Sequence, residues 1–123
     1  MEKQAIGRMG EELAARYLVK KGFRILSRNY RKKIGEIDII ACDPEDTLIF
    51  VEVKTRHFSS YGTPAEAVDF RKQQRIQRTA FLFMQERNLS ASFCRFDIIE
   101  VYISSHEVYK IRQIENAFEG NGF

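Results

Sequence analysis

Asp38, Glu52 and Lys54 lie inside two apolar runs, Gly35 to Cys42 and Thr47 to Arg56, where packing alone gives no reason for a charge. Such runs predict strands at the centre of a sheet, and leaving charges unpaired there costs several kcal/mol. Period-two alternation sends Ile37, Ile39 and Ala41 to one side and Glu36, Asp38 and Ile40 to the other. In the second run, Ile49, Val51 and Val53 oppose Phe50, Glu52, Lys54 and Arg56. If Pro44, Glu45 and Asp46 connect the two as an antiparallel hairpin, Asp38 opposes Glu52 with Cβ atoms about 5 Å apart. Like charges at that distance repel unless a cation lies between them. A hard divalent ion, Mg²⁺ or Mn²⁺, bound by carboxylate oxygens resolves the conflict and leaves positions for water and phosphate. Lys54 projects on Glu52's face, where an ammonium orients an attacking water or offsets charge on a phosphoryl group. The set is a kit for metal-assisted phosphodiester hydrolysis. The competing reading is a buried Lys54 that pairs with Asp38 or Glu52 for structural specificity alone.

The surrounding pattern supplies the elements that hold these residues. Ile6, Met9, Leu13 and Tyr17 recur at helical spacing between Ala5 and Lys21, and Gly22 ends that helix. Phe23 to Asn29 predicts a strand with one wet face, followed by a polar turn from Tyr30 to Ile34. After the hairpin, Thr63, Pro64, Ala65 and Glu66 have the form of a capping box. A second helix spans roughly Asp69 to Arg87, anchored by Ile76, Ala80, Phe83 and Met84. Strands from Cys94 to Ile103 and Glu107 to Ile114 complete the order α, β, β, β, α, β, β, a mixed sheet covered by helices.

With 123 residues the chain is expected to form a single domain. Its apolar runs are far shorter than the roughly 20 residues of a membrane span, and its start lacks the core of a secretion signal, so a cytoplasmic protein is expected. Cys42 and Cys94 stand apart with no CxxC pattern and read as buried reduced thiols; His57 and His106 add no zinc spacing. The net charge is only +3, but its distribution is uneven. Seven basic residues (Lys20, Lys21, Arg24, Arg28, Arg31, Lys32, Lys33) lie between Val19 and Ile34 with no acid among them. Four more (Arg71, Lys72, Arg75, Arg78) lie between Phe70 and Gln85. Each run alone reads equally as a solvated face; both together, around acidic strands, favour a polyanion partner.

Asp38 with the Glu52, Val53, Lys54 triplet resembles the PD-(D/E)xK nucleases, whose restriction-endonuclease-like core has the same αβββαβ order. The wider run adds Gly7, Gly10, Glu11, Ala14, Tyr17, Leu18, Gly22, Phe23, Asn29, the block Gly35 to Ala41, Phe50 to Lys54, Arg56, Gly62, Glu66, Ala67, Val68, Lys72 and Ala80. It is similar to the YraN family of small bacterial proteins related to archaeal Holliday-junction resolvases. The resemblance implies an acidic first-helix residue that reaches the metal, at Glu11, beside the acids Asp38 and Glu52. Glu11 lies at the shoulder of the apolar stripe, near Gly7, Ala14 and Leu18; a surface carboxylate is the alternative. Glu36 either supports the metal's ligands or is a strand-end charge. Lys72 and Gln73 stand where the family carries a lysine. With Lys32, Lys33, Arg56, Arg71 and Arg75 they are expected to contact nucleic-acid phosphates.

The function expected is a divalent-metal-dependent nuclease acting on DNA. A branched or single-stranded substrate in recombination or repair is implied by the resolvase resemblance. The alternative is a nucleic-acid-binding module of the same fold without turnover. Symmetric cutting of two strands calls for a homodimer, for which Phe58, Tyr61 and Phe123 are the exposed apolar candidates.

Overall fold

The structure is a computed structural model that describes residues 3–57, 68–104 and 107–118. The expected capping box at Thr63 to Glu66, the expected roles of Phe58, Tyr61, Gly62, Ala67, His106 and Phe123, and the side chain of His57 lie outside the described residues. The elements are α1 (Lys3–Lys20), β1 (Arg24–Lys32), β2 (Gly35–Cys42), β3 (Leu48–His57), α2 (Phe70–Glu86), β4 (Cys94–Ser104) and β5 (Glu107–Phe118). The strands form one sheet in chain order. Each neighbouring pair is antiparallel except β3 with β4, which run parallel on either side of α2. The sheet is mixed and has the expected αβββαβ core.

Each sheet face is buried under one helix. The α1 stripe sets Ala14, Ala15 and Leu18 on Ile39, Ala41, Ile49, Val51, Ile99 and Val101, with Ile6, Met9, Leu13 and Tyr17 around them. The α2 stripe sets Ile76, Ala80, Phe83 and Met84 on Ile40, Leu48, Phe50, Phe96 and Ile98. Gly22 ends α1 at φ 93, and the Gly22 and Phe23 amides donate back to the Val19 and Leu18 carbonyls at 3.0 Å each. Asp69 caps α2, its carboxylate accepting the Lys72 amide at 2.8 Å. Cys42 is buried, Cys94 half-buried, and both are free thiols. Among the described residues no helix is long and apolar enough to cross a membrane.

Two boundaries differ from the sequence reading. The expected turn from Tyr30 to Ile34 shrinks, because Tyr30, Arg31 and Lys32 continue β1 by pairing with Ile37, Glu36 and Gly35. These residues look unlike a strand because they form a sheet edge whose outer side is wet, so pairing rather than burial holds them. β5 runs beyond Ile114 to Phe118, whose ring stacks on Phe96 with centroids 5.2 Å apart.

Gly10 fixes how closely α1 approaches β3. A Cβ there would stand 2.0 Å from Thr55 Oγ1 and 3.2 Å from Thr55 Cβ. Gly10→Ala should therefore force α1 off the sheet and destabilise the protein by about 1–3 kcal/mol in urea unfolding. Thr55→Ala in the same chain removes the worst contact and should recover part of the loss. If Gly10→Ala is neutral, α1 does not sit this close.

Candidate active site

The β2–β3 register is Ile39 with Val51, Ile40 with Phe50, Ala41 with Ile49 and Cys42 with Leu48, as the three-residue connection requires. The next rung would set Asp38 against Glu52, and there the ladder stops. Asp38 Oδ2 instead accepts the Val53 amide at 2.8 Å, so a carboxylate replaces a backbone carbonyl. The expected alternation of Ile37, Ile39 and Ala41 on one side fails at this point: Ile37 packs on the α2 side, whereas Ile39 and Ala41 pack on the α1 side. On β1, Asn29, between the rungs Arg28–Ile39 and Tyr30–Ile37, takes φ 51. Left-handed backbone is uncommon outside glycine and easiest for Asn, which marks an irregularity in both strands at the level of Asp38. β2 peels away from β3 here and opens the sheet at its acidic end.

The Asp38 carboxyl is pushed up to about 7. Burial contributes most, then the Glu52 charge; the Val53 amide opposes them, and Glu11 and Glu36 add smaller repulsions. Four acids therefore act on one another across this opening. Glu11 arrives on α1 one residue after Gly10, so the close approach at Thr55 carries it toward the sheet. Glu36 is exposed and pairs with Arg31 at 2.9 Å.

Glu52 stands on the α2 side of β3, one alternation beyond buried Phe50, and is 8% exposed. Its Oε1 is 2.9 Å from Lys72 Nζ and 3.7 Å from Lys54 Nζ. Burial, followed by the neighbouring Lys72 ammonium, holds Lys54 below the usual lysine range, against the pull of Glu52 and Asp38. Burial works the same way on Lys72, but its hydrogen bond and charge attraction to Glu52 outweigh it, and Lys72 lies above the ordinary value. Sequence reasoning placed Lys72 only on a phosphate-binding face; the fold gives it a second role as the hydrogen-bond partner of Glu52.

Lys33, Lys72 and Arg75 line one open cleft of about 270 Å³ together with Ile34, Gly35, Glu36 and Ile76. Thus Lys33, at the end of the first basic segment, meets the start of the second in a cleft whose Lys72 reaches Glu52. A Cβ on Gly35 would be 2.8 Å from Thr79 Oγ1 and 3.3 Å from the Arg75 carbonyl, so glycine is what lets the β1–β2 turn close on α2. A second cleft of about 410 Å³ is lined by Gly7, Arg8, Glu11, Asn29 and Arg31. The Arg31–Glu36 pair links residues of both clefts. A larger groove of about 530 Å³ between α1 and β1 includes none of Glu11, Asp38 and Glu52 in its lining.

The other expected phosphate contacts are placed differently. Lys32 pairs with Glu86 at 3.1 Å, at the far end of α2. Gln73 spends its amide on the Val68 carbonyl at 2.8 Å. Arg71 is exposed on the first turn of α2 and Arg56 is half-buried on β3, next to Tyr102 in the parallel ladder.

Two further buried acids, not among the expected site residues, lie on β4. Asp97 accepts from Arg95, Gln113 and the Asn116 amide. Glu100, beside Lys54 in the parallel ladder, accepts the Tyr102 hydroxyl at 2.9 Å on Oε2. Its Oε1 has no hydrogen-bond donor among the described residues and is 3.8 Å from Arg112 Nη1. The signal was present, since an acid inside the run Ile98, Ile99, Glu100, Val101 is the same anomaly that marks Glu52.

The site's chemistry can be matched to a cation. Its acids are oxygen donors, and burial together with the Glu52 charge makes ionised Asp38 unfavourable without a cation, which suits a hard divalent ion at Asp38 and Glu52. Among the described residues no three His, Cys, Asp or Glu side chains are grouped closely enough to hold one ion. The expected trio of Glu11, Asp38 and Glu52 is thus not grouped around one point; Asp38 and Glu52 are the pair that could hold an ion together with water, and Glu11 adds charge at Asp38.

One mixed sheet between two helices, with its acids and lysines at the opening between β2 and β3, makes this an α/β protein with a restriction-endonuclease-like core. The chain belongs to the uncharacterised protein family UPF0102, whose profile matches residues 10–101. A UPF0102 protein of Caldanaerobacter subterraneus subsp. tengcongensis is 46% identical over 120 residues, 96% of this chain and 98% of that one. Another, from Alkaliphilus oremlandii, is 48% identical over 115 residues, 92% and 97% of the two chains. Among solved structures, SfsA of Pyrococcus furiosus in complex with Ca²⁺ is similar with a TM-score of 0.40 and 11% identity. That match covers 93% of this chain, which spans 62% of the SfsA chain.

Proposed function

We propose that the protein is a divalent-metal-dependent nuclease that hydrolyses DNA phosphodiester bonds at the Asp38–Glu52–Lys54 face, with Mg²⁺ or Mn²⁺ as cofactor. The observation that carries this reading is the opening at Asp38, where β2 leaves β3 and a carboxyl pushed up to about 7 stands beside Glu52 and two lysines. A purely structural charge cluster gives no reason for a sheet to open at its most crowded acid. A bound divalent ion would polarise the phosphate and a water molecule. Asp38 and Glu52 would hold the ion, and Lys54 would orient the attacking water and offset charge on the phosphoryl oxygens. Lys33 and Arg75 seat the neighbouring backbone phosphates in the basic cleft beside Glu52. The resolvase resemblance points to branched or single-stranded DNA as substrate.

The second reading, a nucleic-acid-binding module without turnover, is favoured by one observation: Glu52 is already satisfied by Lys72. Incubation of the chain with linear, single-stranded and four-way-junction DNA in Mg²⁺, Mn²⁺ or EDTA separates the two. Cleavage is expected with metal and not with EDTA. Lys54→Ala should slow cleavage on the order of a hundredfold while Mn²⁺ affinity holds, because the ammonium acts on the reacting groups and not on the ion. DNA binding with no cleavage of any substrate in either metal would leave the binding module.

A further inference from the structure

We propose that Lys72 is an internal stand-in for the metal ion: it neutralises Glu52 when the site is metal-free and, once displaced by the cation, moves to the adjoining cleft to bind a phosphate of the nucleic acid. This rests on the reading of Asp38 and Glu52 as metal ligands and adds a coupling between metal and DNA.

Three features of the site lead to it. First, Lys72 Nζ, at 2.9 Å, is the nearer of two ammonium groups on the same Glu52 oxygen, with Lys54 at 3.7 Å. A cation that coordinates Glu52 therefore competes with Lys72 before any other group. With the ion in place, three cations would crowd one buried carboxylate, and the half-exposed lysine is the one free to leave. The Lys72 side chain is 38% exposed, against 19% for Lys54.

Second, a destination exists. Lys72 lines the 270 Å³ cleft with Lys33 and Arg75, so a rotation of its four-carbon stem carries the ammonium from Glu52 into a cationic pocket without moving the backbone. Third, the Lys72 backbone is held in place by its amide, which donates to the Asp69 cap at 2.8 Å, so the side chain alone can move between Glu52 and the cleft. In that cleft an unaccompanied third cation would be repelled by Lys33 and Arg75. It becomes favourable when a phosphate is present. Metal binding and phosphate binding should then assist each other, since each removes an obstacle to the other.

The test uses Lys72→Met, with Lys72→Arg as the charge-keeping control and Lys33→Ala/Arg75→Ala as the cleft control, all checked for folding by thermal melting. Mn²⁺ affinity is measured by calorimetry without DNA, and affinity for a short single-stranded oligonucleotide is measured in EDTA and in Ca²⁺. Lys72→Met is expected to bind Mn²⁺ about tenfold more tightly than wild type, because the competitor is gone. Its gain in oligonucleotide affinity on adding Ca²⁺ should be several-fold smaller than wild type's. Lys72→Arg should stay near wild type in Mn²⁺ affinity. The cleft control should lose oligonucleotide affinity with Mn²⁺ affinity unchanged. If wild type binds Mn²⁺ and Lys72→Met binds it equally or more weakly, Lys72 is not a competitor and the proposal falls alone. If neither binds Mn²⁺ at millimolar concentration, the proposal falls together with the metal-site reading.

Discussion

Asp38→Asn is expected to lower cleavage on the order of a thousandfold and to weaken Mn²⁺ binding with it. At the same time it should make the metal-free protein more stable at neutral pH. The two effects have one cause. The Asp38 carboxyl sits at about 7 because burial and the Glu52 charge oppose its ionisation, whereas an unfolded chain ionises it near 3.8. The folded state therefore favours the protonated acid. That stabilisation is fully present below pH 4 and is lost as pH rises through about 7, by on the order of 4 kcal/mol. Asparagine keeps the shape and can still accept the Val53 amide, but it carries no charge at any pH. The difference in unfolding free energy between Asp38→Asn and wild type should then grow from pH 4 to pH 8 in EDTA. Saturating Mg²⁺ should shrink or reverse it, because the ion stabilises only the carboxylate. Urea unfolding at a series of pH values, with and without metal, measures both arms. A difference that is flat with pH would show that Asp38 is not held in the crowded state described above.

For Asp97→Ala the expected result is a loss of stability of about 3–5 kcal/mol with no direct effect on metal binding. The carboxylate is fully buried. It accepts Arg95 Nε at 3.1 and 3.3 Å, Gln113 Nε2 at 2.9 Å and the Asn116 amide at 2.9 Å. Arg95 in turn reaches Asp43 at 3.8 Å and Glu115 at 3.5 Å, so Asp97 ties the hairpin, β4 and β5 together. The β4–β5 ladder shifts register between Phe96 and Ile98, and Asn116, at φ 51, turns its amide inward there. Alanine would leave that amide, the Gln113 Nε2 and the Arg95 Nε without the acceptor they share. Asp97→Asn, which keeps one oxygen, should cost about 1–3 kcal/mol. Well below its melting midpoint, Asp97→Ala should bind Mn²⁺ like wild type. A loss under about 1 kcal/mol would mean that Arg95 finds other partners and that this network is dispensable.

The sequence alone determined the β2–β3 hairpin with its register, and the pairing of β4 with β5. Apolar alternation and a three-residue connection admit one hairpin register, and a slip by one residue would send Ile39 and Val51 out of the core, so the level of Asp38 and Glu52 was readable in advance. The two helices were equally legible, because an apolar stripe at helical spacing needs a sheet face to cover it and the sheet has two. What the tertiary structure decided is where the regular pattern breaks. That Ile37 and Ile39 pack on opposite sides of the sheet follows from Asp38 taking the Val53 amide, a side-chain contact that competes with the ladder and leaves no mark in residue periodicity. The partner of Glu52 was hidden for a related reason. Lys72 is 20 positions away on a helix whose basic run looked like a solvated face, and only the packing of α2 on the sheet, close enough at Gly35 to leave no room for a Cβ, sets its ammonium on that carboxylate. Charge spacing along a chain gives the inventory of a site; which ammonium meets which carboxylate is set by helix-on-sheet distances of a few ångströms, which the sequence encodes only through the whole core.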